Sequence, residues 1–330
     1  MKKLFCLSFI AILFVSVTTN LIAQDIKPSN LAHTYSIVCR DAETGELGVA
    51  VQTHWFGVGT RVPWAEAGVG AVATQSFTNA SFGPRGLALI KEGKTAQEVL
   101  DILIESDEGR DVRQVAIIDS KGNVAAWTGK KCIKDAGHTI GENFSVQANL
   151  MLSDEVWPAM AKAFKEAKGH LSERMLAALE AAQNEGGDIR GKQSAAMIVV
   201  KPESSGQPWA DRSVDLRIDD HPEPLKEMRR LLKINKAYEH MDLGDVAIEN
   251  NDIEGAEYHY GKAAELYSEN IEIKYWYAVS LANAGKVEMS LPIFKEIFSK
   301  DENWRVLTKR LPQSDLINVS EEDFKTILAQ

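Results

Sequence analysis

The chain has 330 residues, of which 45% are hydrophobic and 25% are charged. This length is typical of about two domains, and the composition excludes a disordered, collagen-like or coiled-coil protein. The formal net charge is −10, and since no Lys/Arg cluster forms a basic face, we expect no nucleic-acid partner.

The first 23 residues have the pattern of a secretory signal peptide. Lys2 and Lys3 precede an apolar run from Leu4 to Val17, and Ala23 provides a small residue for cleavage. The apolar run is shorter than the roughly 20 residues that span a bilayer. We therefore expect residues 1–23 to be removed and the protein to be exported, to the periplasm or the cell exterior, without a membrane span. A retained membrane anchor is the alternative.

Residues 34–230 combine alternating runs, typical of strands, with runs of helical periodicity. Strands are predicted at 34–40, 47–53, 69–76, 114–119, 124–127, 144–150, 195–200 and 214–218. Helices are predicted at 87–91, 95–106, 154–167 and 171–183. Because strands and helices occur in groups rather than in strict alternation, the pattern favours a layered α+β domain.

Two cysteines remain after the expected cleavage, Cys39 in a strand and Cys132 in a loop. They allow at most one disulfide. Since the position of Cys39 is typical of a small core residue, we favour two unpaired thiols.

From about Pro222 onward the pattern is almost wholly helical. The unit 237–270 aligns with the unit 271–304, with matching residues at the following pairs of positions: Leu243-Gly244 and Tyr277-Ala278, Ala256 and Ser290, Tyr260 and Phe294, Ala263 and Ile297. This resembles the tetratricopeptide repeat, in which small residues let paired helices pack closely. An ordinary pair of helical hairpins is the alternative. We expect a helix at 224–233 and the segment 306–330 to cap the array, which would hold a protein partner or brace the first domain.

Sharp catalytic and metal-binding motifs are absent from the sequence. It has no HExxH, CxxC, GxSxG or Walker A motif. Gly68–Ala73 matches GxGxxA but leads into a strand, which does not provide a phosphate-binding turn. Asp219-Asp220-His221 is typical of a solvated turn before a helix. We therefore predict no metal and no other cofactor.

Thr34 begins the first predicted strand, a short distance after Ala23. An N-terminal threonine can catalyse acyl transfer by itself, because its hydroxyl is a nucleophile and its α-amine, with a pKa near 7.7–8.0, is a base at neutral pH. Without further support, a threonine at this position is simply a strand residue.

Four sequence blocks supply that support: TYSIVCRDAETGELGVAVQT (34–53), VPWAEAGVGAVATQSFTNASFGPRGL (62–87), DIRGKQSAAMIVV (188–200) and DLRIDDHPEPL (215–225). They resemble the signature of domain of unknown function 1028, a prokaryotic family grouped with the N-terminal-nucleophile (Ntn) hydrolases. The resemblance implies a four-layer αββα sandwich over residues 34–230, after a leader at 24–33 and before an all-α repeat region at 231–330.

The resemblance also implies a reaction. Thr34 would attack the carbonyl of a small amide or acyl-amino substrate, with its own α-amine moving the proton. Gln75, Asn79 and Asn149 are the candidate donors to the oxyanion.

Five further polar residues are candidates for substrate binding. Arg61 would bind a carboxylate or lower the pKa of the amine, and Ser36 shares the face of Thr34 because side chains alternate along a strand. Asp188, Arg190 and Gln193 form a polar cluster beside a strand, for which a structural salt bridge is an equal alternative.

The sequence departs from the Ntn pattern in two ways. Thr34 follows His33, so signal cleavage alone would leave a leader, and a second cleavage between His33 and Thr34 is required. Ala50 stands where proteasome-like members carry an aspartate. Two alternatives therefore stay open: a non-catalytic ligand- or protein-binding module on the same fold, and an enzyme with another nucleophile in the same cleft. The sequence leaves the substrate and the oligomeric state open.

Overall fold

The computed structural model describes residues 31–32 and 34–330. The predicted signal peptide and most of the predicted leader lie outside the described residues. None of the helices in the described part is both long and apolar enough to cross a membrane.

The described strands are, in chain order, β1 (Leu31–Ala32), β2 (Thr34–Arg40), β3 (Leu47–Thr53), β4 (Pro63–Glu66), β5 (Gly70–Phe77), β6 (Arg113–Asp119), β7 (Val124–Thr128), β8 (Gly137–Gly141), β9 (Phe144–Ala148), β10 (Ser194–Val200) and β11 (Arg212–Ile218). The described α-helices are α1 (Phe82–Lys91), α2 (Ala96–Glu105), α3 (Val156–Glu166), α4 (Leu171–Asn184), α5 (Pro224–Glu249), α6 (Ile253–Leu266), α7 (Ile271–Asn283), α8 (Val287–Lys300), α9 (Asn303–Thr308) and α10 (Glu321–Leu328).

The strands form two antiparallel sheets. In sheet A the order is β1-β5-β6-β7, and β4 pairs with β5 on the same edge as β1. In sheet B the order is β11-β10-β3-β2-β9-β8. The first two predicted strands are confirmed at their predicted bounds as β2 and β3.

The sequence patterns missed the two-residue strand β1 as well as β4 and β8, and they misplaced several element ends. β4 is short and begins with a proline, and β8 is half-exposed, so neither shows an alternating apolar run. The predicted helix at 87–91 begins five residues earlier, at Phe82, with Pro84 tolerated in its first turn. The strand predicted to reach residue 150 ends at Ala148, because the backbone turns into the left-handed region at Leu150 (φ 60°).

Alternation along the strands divides the apolar core into three clusters. One cluster lies between the two sheets and joins valines of β2 and β3 with alanines of β5 and β6, among them Val38, Val49, Ala73 and Ala116. A second packs α1 and α2 on the opposite face of sheet A. The third packs α3, α4 and the start of α5 on the opposite face of sheet B. The domain is therefore of the α+β class, as predicted.

The chain after β11 is helical, as predicted, but the predicted helix end at Lys233 is wrong. α5 continues to Glu249, because no proline follows Lys233 within this stretch and its later turns pack against α6. The predicted boundary between residues 230 and 231 thus falls inside α5. The segment after α8 forms α9 and α10, which pack with α7 and α8 in one apolar cluster.

Gly244 is the contact point between α5 and α6. A Cβ at this position would lie 2.7 Å from the ring of Tyr260, whereas a Cβ at Gly261, also in a helix, would lie 3.4 Å from Tyr277. We expect Gly244→Ala to destabilise the helical region by about 1–2 kcal/mol, because the steric cost exceeds the gain in helix propensity. Gly261→Ala is the matched control and should be neutral or stabilising by up to about 1 kcal/mol. Urea unfolding followed by circular dichroism measures both, and equal effects would contradict the close packing.

A pH-dependent contact joins α4 to the loop before β3. His170 Nε2 lies 3.2 Å from the carboxylate of Glu46. This hydrogen bond raises the pKa of His170 above 6.5 and lowers the pKa of Glu46 below 4.5. The contribution of His170 to folding stability is present below pH 6.5 and is lost as the pH rises through its raised pKa. The contribution of Glu46 to folding stability is lost as the pH falls through its lowered pKa.

We therefore expect Glu46→Gln to lower the free energy of unfolding at about pH 5.5 by a few tenths to about 1 kcal/mol, and by less at about pH 9. The exposed Glu43→Gln serves as the control. Urea titrations at both pH values measure the difference, and an effect of Glu46→Gln that is the same at both would contradict this account.

Both cysteines of the described chain are free thiols. Cys39 is fully buried beside β3, and burial raises the pKa of its thiol well above the ordinary value. Burial also raises the pKa of the Cys132 thiol. Because the thiolate is the reactive form, neither group is poised for nucleophilic chemistry.

Candidate functional site

Three glutamines from three different strands meet between the two sheets. Gln75 on β5, Gln114 on β6 and Gln147 on β9 are all fully buried. Gln75 shares the face of β5 that carries Ala73, and Gln114 shares the face of β6 that carries Ala116, so both point into the space between the sheets, where Gln147 reaches Ser36. The space is therefore apolar over most of its length and polar at the end where β2 begins.

Short hydrogen bonds connect these glutamines to β2. Ser36 Oγ donates to Gln75 Oε1 at 2.6 Å, and Gln147 Nε2 donates to Ser36 Oγ at 2.6 Å. Gln75 Nε2 donates to Gln114 Oε1 at 2.7 Å. The predicted site residues Ser36 and Gln75 thus belong to one buried network, which we call the amide network and define as Ser36, Gln75, Gln114, Gln147 and Asn149.

The amide network holds the backbone of Thr34. The carbonyl oxygen of Thr34 accepts from Gln75 Nε2 at 3.1 Å, from the backbone N–H of Asn149 at 3.1 Å and from Asn149 Nδ2 at 3.4 Å. Thr34 is fully buried, yet its hydroxyl has no hydrogen-bond partner among the described residues. An unpaired buried hydroxyl costs about 1–3 kcal/mol, and such groups in native proteins call for a functional explanation.

The amide hydrogens of Gln75 and Asn149 are already engaged. Gln75 Nε2 has two hydrogens and faces three acceptors, the carbonyl oxygens of Thr34 and Gln147 and the side-chain oxygen of Gln114. Asn149 Nδ2 likewise faces the Thr34 carbonyl and, at 2.8 Å, Gln114 Oε1. With this arrangement both residues position the Thr34 backbone, and donation to a substrate oxyanion would require them to exchange partners.

Asn79 and Arg61 make no hydrogen bond to Thr34 or to the amide network in the described chain. Asn79 lies before α1, where its Nδ2 donates to Asp107 and its Oδ1 accepts from Ser81. Arg61 follows a short 3-10 turn, and its carbonyl accepts from the indole of Trp64. The role of oxyanion donor predicted for Asn79 and the binding role predicted for Arg61 therefore require a substrate that extends from Thr34 to these residues.

Asp188 and Arg190 form a salt bridge in which the carboxylate is buried and the guanidinium is partly exposed. Asp188 is 2% exposed, its Oδ1 accepts from Arg190 N and Nε at 3.0 Å each, and its Oδ2 accepts from Arg190 Nη2 at 2.7 Å and from the backbone of His54 at 3.1 Å. Both carboxylate oxygens are thus engaged, which favours the structural alternative. Gln193 donates through its side chain to Asp220 and through its backbone to the Thr53 carbonyl.

Several polar residues near Thr34 were not predicted from the sequence. Thr53 of β3 lies directly opposite Thr34, and Ser194 of β10 lies opposite Thr53, so three buried hydroxyl side chains form a row across sheet B. Gln114 donates to Thr128 at 2.9 Å, and Thr128 Oγ1 lies 2.8 Å from Nδ1 of the half-buried His138. The sequence does carry a partial signal for the glutamines, since each lies in a strand whose other residues are mainly apolar.

Desolvation lowers the pKa of His138, which keeps this ring neutral near pH 7. Within the described residues, no group of three or more His, Cys, Asp or Glu side chains is placed to hold a metal ion. The side chains that surround Thr34 are hydroxyl and amide groups, which suit acyl-transfer chemistry through hydrogen bonds.

Comparison with known proteins agrees with the sequence blocks. The model of a family of unknown function (DUF1028) matches residues 34–228. The crystal structure of protein SPO2555 from Silicibacter pomeroyi, of the same family, is 31% identical, covers 61% of this chain and 88% of its own, and superposes with a TM-score of 0.55. No curated protein matches the chain.

Proposed function

The chain belongs to the DUF1028 family of unknown function, and on that premise we propose that it is an exported Ntn amidohydrolase that cleaves a small amide or acyl-amino compound through Thr34. One observation carries the proposal. Thr34 is the first residue of β2, its carbonyl is fixed by Gln75 and Asn149, and its buried hydroxyl has no partner among the described residues.

The proposal includes a four-layer αββα sandwich of the Ntn type for residues 34–230. The apolar clusters support it, because one joins the two sheets to each other and the other two join each sheet to its own pair of helices. Thr34 shares the face of β2 that carries Val38, which belongs to the cluster between the sheets, so its side chain faces that space.

A cleavage between His33 and Thr34 is part of the proposal. β1 pairs with β5 of sheet A, whereas Thr34 starts β2 of sheet B, so the described residues on the two sides of the proposed cleavage site belong to different sheets. Thr34 Oγ1 would attack the His33 carbonyl, the proton of the hydroxyl would pass to the amide nitrogen, and the amide bond would break as an ester bond forms and the α-amine is released. Water would then hydrolyse the ester, which returns the hydroxyl and leaves a carboxylate on His33.

Turnover of a substrate would follow the same chemistry. The α-amine takes the proton of the hydroxyl as Oγ1 attacks the amide carbonyl, and it returns a proton to the leaving amine. Water hydrolyses the acyl-enzyme. The amide network contributes by holding the Thr34 backbone, because a nucleophile fixed in orientation reacts with less loss of entropy.

The N-terminus of the exported wild-type chain tests the proposal directly. We would fractionate expressing cells and determine the N-terminal sequence and intact mass of the purified protein. A chain beginning at Thr34 in the periplasm or the medium supports the proposal. A chain beginning at Gln24, or one held in the membrane fraction, contradicts it because Thr34 would then have no free α-amine.

A non-catalytic binding module is the second candidate function. It is favoured by the engagement of both amide groups of Gln75 and Asn149, which leaves neither with a hydrogen free for an oxyanion. In that case the helical region would recruit the partner.

We propose that this helical region consists of tetratricopeptide-like repeats. Two equal separations support this: the one between Ile253 and Val287, where α6 and α8 begin, and the one between the left-handed residues Asn251 and Gly285 that precede them.

A further inference from the structure

The helical region contains a groove that is distant in sequence from Thr34. It has a volume of about 520 Å³ and is formed mainly by α5 and α7, with Tyr260 of α6 and Leu316 at its borders. This volume lies in the range of pockets that bind small molecules or a few residues of a peptide.

Four carboxylates line the groove: Asp242, Asp245, Glu249 and Glu272. No Lys, Arg or His side chain is among the described residues that line it, and none of the four acids forms an ion pair within the described chain. Burial and the neighbouring Asp245 raise the pKa of Asp242. The groove therefore holds negative charge that the described residues do not compensate.

Aromatic and apolar side chains complete the lining. Trp276 and Tyr238 lie on α7 and α5, and Met241, Ile248 and Val279 supply apolar surface between them. Lysine and arginine side chains suit such a mixture, because their cationic ends pair with carboxylates and pack on aromatic rings while their stems cover apolar surface.

Ser280 provides an independent sign of a ligand. It lines the groove, is only 1% exposed, and its hydroxyl has no hydrogen-bond partner among the described residues, not even the carbonyl one turn earlier in α7. A buried hydroxyl without a partner is costly, and a peptide backbone lying in the groove would offer it both donors and acceptors.

We propose that this groove binds an extended, cationic peptide segment of a partner protein. The carboxylates recognise lysine or arginine side chains, Trp276 and Tyr238 pack against them, and Ser280 hydrogen-bonds the peptide backbone. This site is independent of Thr34 and would serve either candidate function.

A peptide library tests the proposal without assuming a sequence. A phage-displayed library of random nonapeptides would be selected on the immobilised full-length chain, and we expect enrichment of Lys and Arg next to apolar residues. A selected peptide, labelled with fluorescein, should bind the double variant Asp242→Asn/Glu249→Gln about tenfold more weakly in fluorescence anisotropy. Ser280→Ala should bind about threefold more weakly.

The matched control is Glu254→Gln/Glu288→Gln, which removes two charges at the starts of α6 and α8, outside the groove lining. It should bind the selected peptide like wild type. No enrichment, enrichment of acidic peptides, equal loss in the control, or unchanged binding by both groove variants would overturn the proposal. Self-association of the chain through this groove, detected by sedimentation and removed by the Asp242/Glu249 variant, would also overturn it.

Discussion

Replacing Thr34 by valine is expected to abolish cleavage at His33–Thr34 and any substrate turnover, while the protein stays folded. Removal of a nucleophile costs about 10⁴-fold or more in rate. Valine has nearly the same shape, and the hydroxyl that it removes is buried without a partner among the described residues. The free energy of unfolding should therefore be unchanged or higher by up to about 1 kcal/mol. Intact mass and urea unfolding measure the two effects.

Thr34→Ser is the control, since it keeps a hydroxyl at the same position. It should retain cleavage, at a reduced rate because serine fixes its hydroxyl less tightly than the β-branched threonine. Cleavage before residue 34 in both variants would point to a separate peptidase. If Thr34→Val also retained turnover of a substrate, the nucleophile assignment would be wrong.

Gln75→Leu is expected to destabilise the protein by about 2–4 kcal/mol, because it leaves buried polar partners without hydrogen bonds. Ser36 Oγ loses its acceptor, and the Thr34 carbonyl loses its donor from sheet A. Cleavage at His33–Thr34 should also slow, since the nucleophile is held less firmly. Urea unfolding gives the stability, and a time course of intact mass gives the cleavage rate.

Gln97→Leu is the matched control for this substitution. Gln97 is exposed on α2 and donates to Asp101, so its replacement should change the stability by no more than about 0.5 kcal/mol. If Gln75→Leu changed the stability by an equally small amount, the hydrogen bonds of the amide network would not be tightly coupled to the folded state. A large loss of stability with an unchanged cleavage rate would limit the network to a structural role.

The sequence by itself determined the secondary structure of most of the chain, the α+β class and the family. These features depend on local patterns: the alternation of TYSIVCR in β2, the Gly186-Gly187 stop after α4, and the repeated small residues Gly244 and Ala256. Where such a pattern is weak, as in β4 and β8, the prediction failed. Thr34 was identified because a strand start and a family block coincide at one position.

The composition of the site was decided only by the tertiary structure. Gln75 and Gln114 lie on β5 and β6 of sheet A, whereas Gln147 lies on β9 of sheet B and Asn149 directly follows it, and they meet beside Thr34 because the two sheets pack face to face. Sequence patterns report which face of a strand a residue occupies, but they do not report which residues of the opposing sheet it meets. For the same reason only the folded chain shows that the amide hydrogens of Gln75 and Asn149 are already engaged and that Asp188 is paired with Arg190.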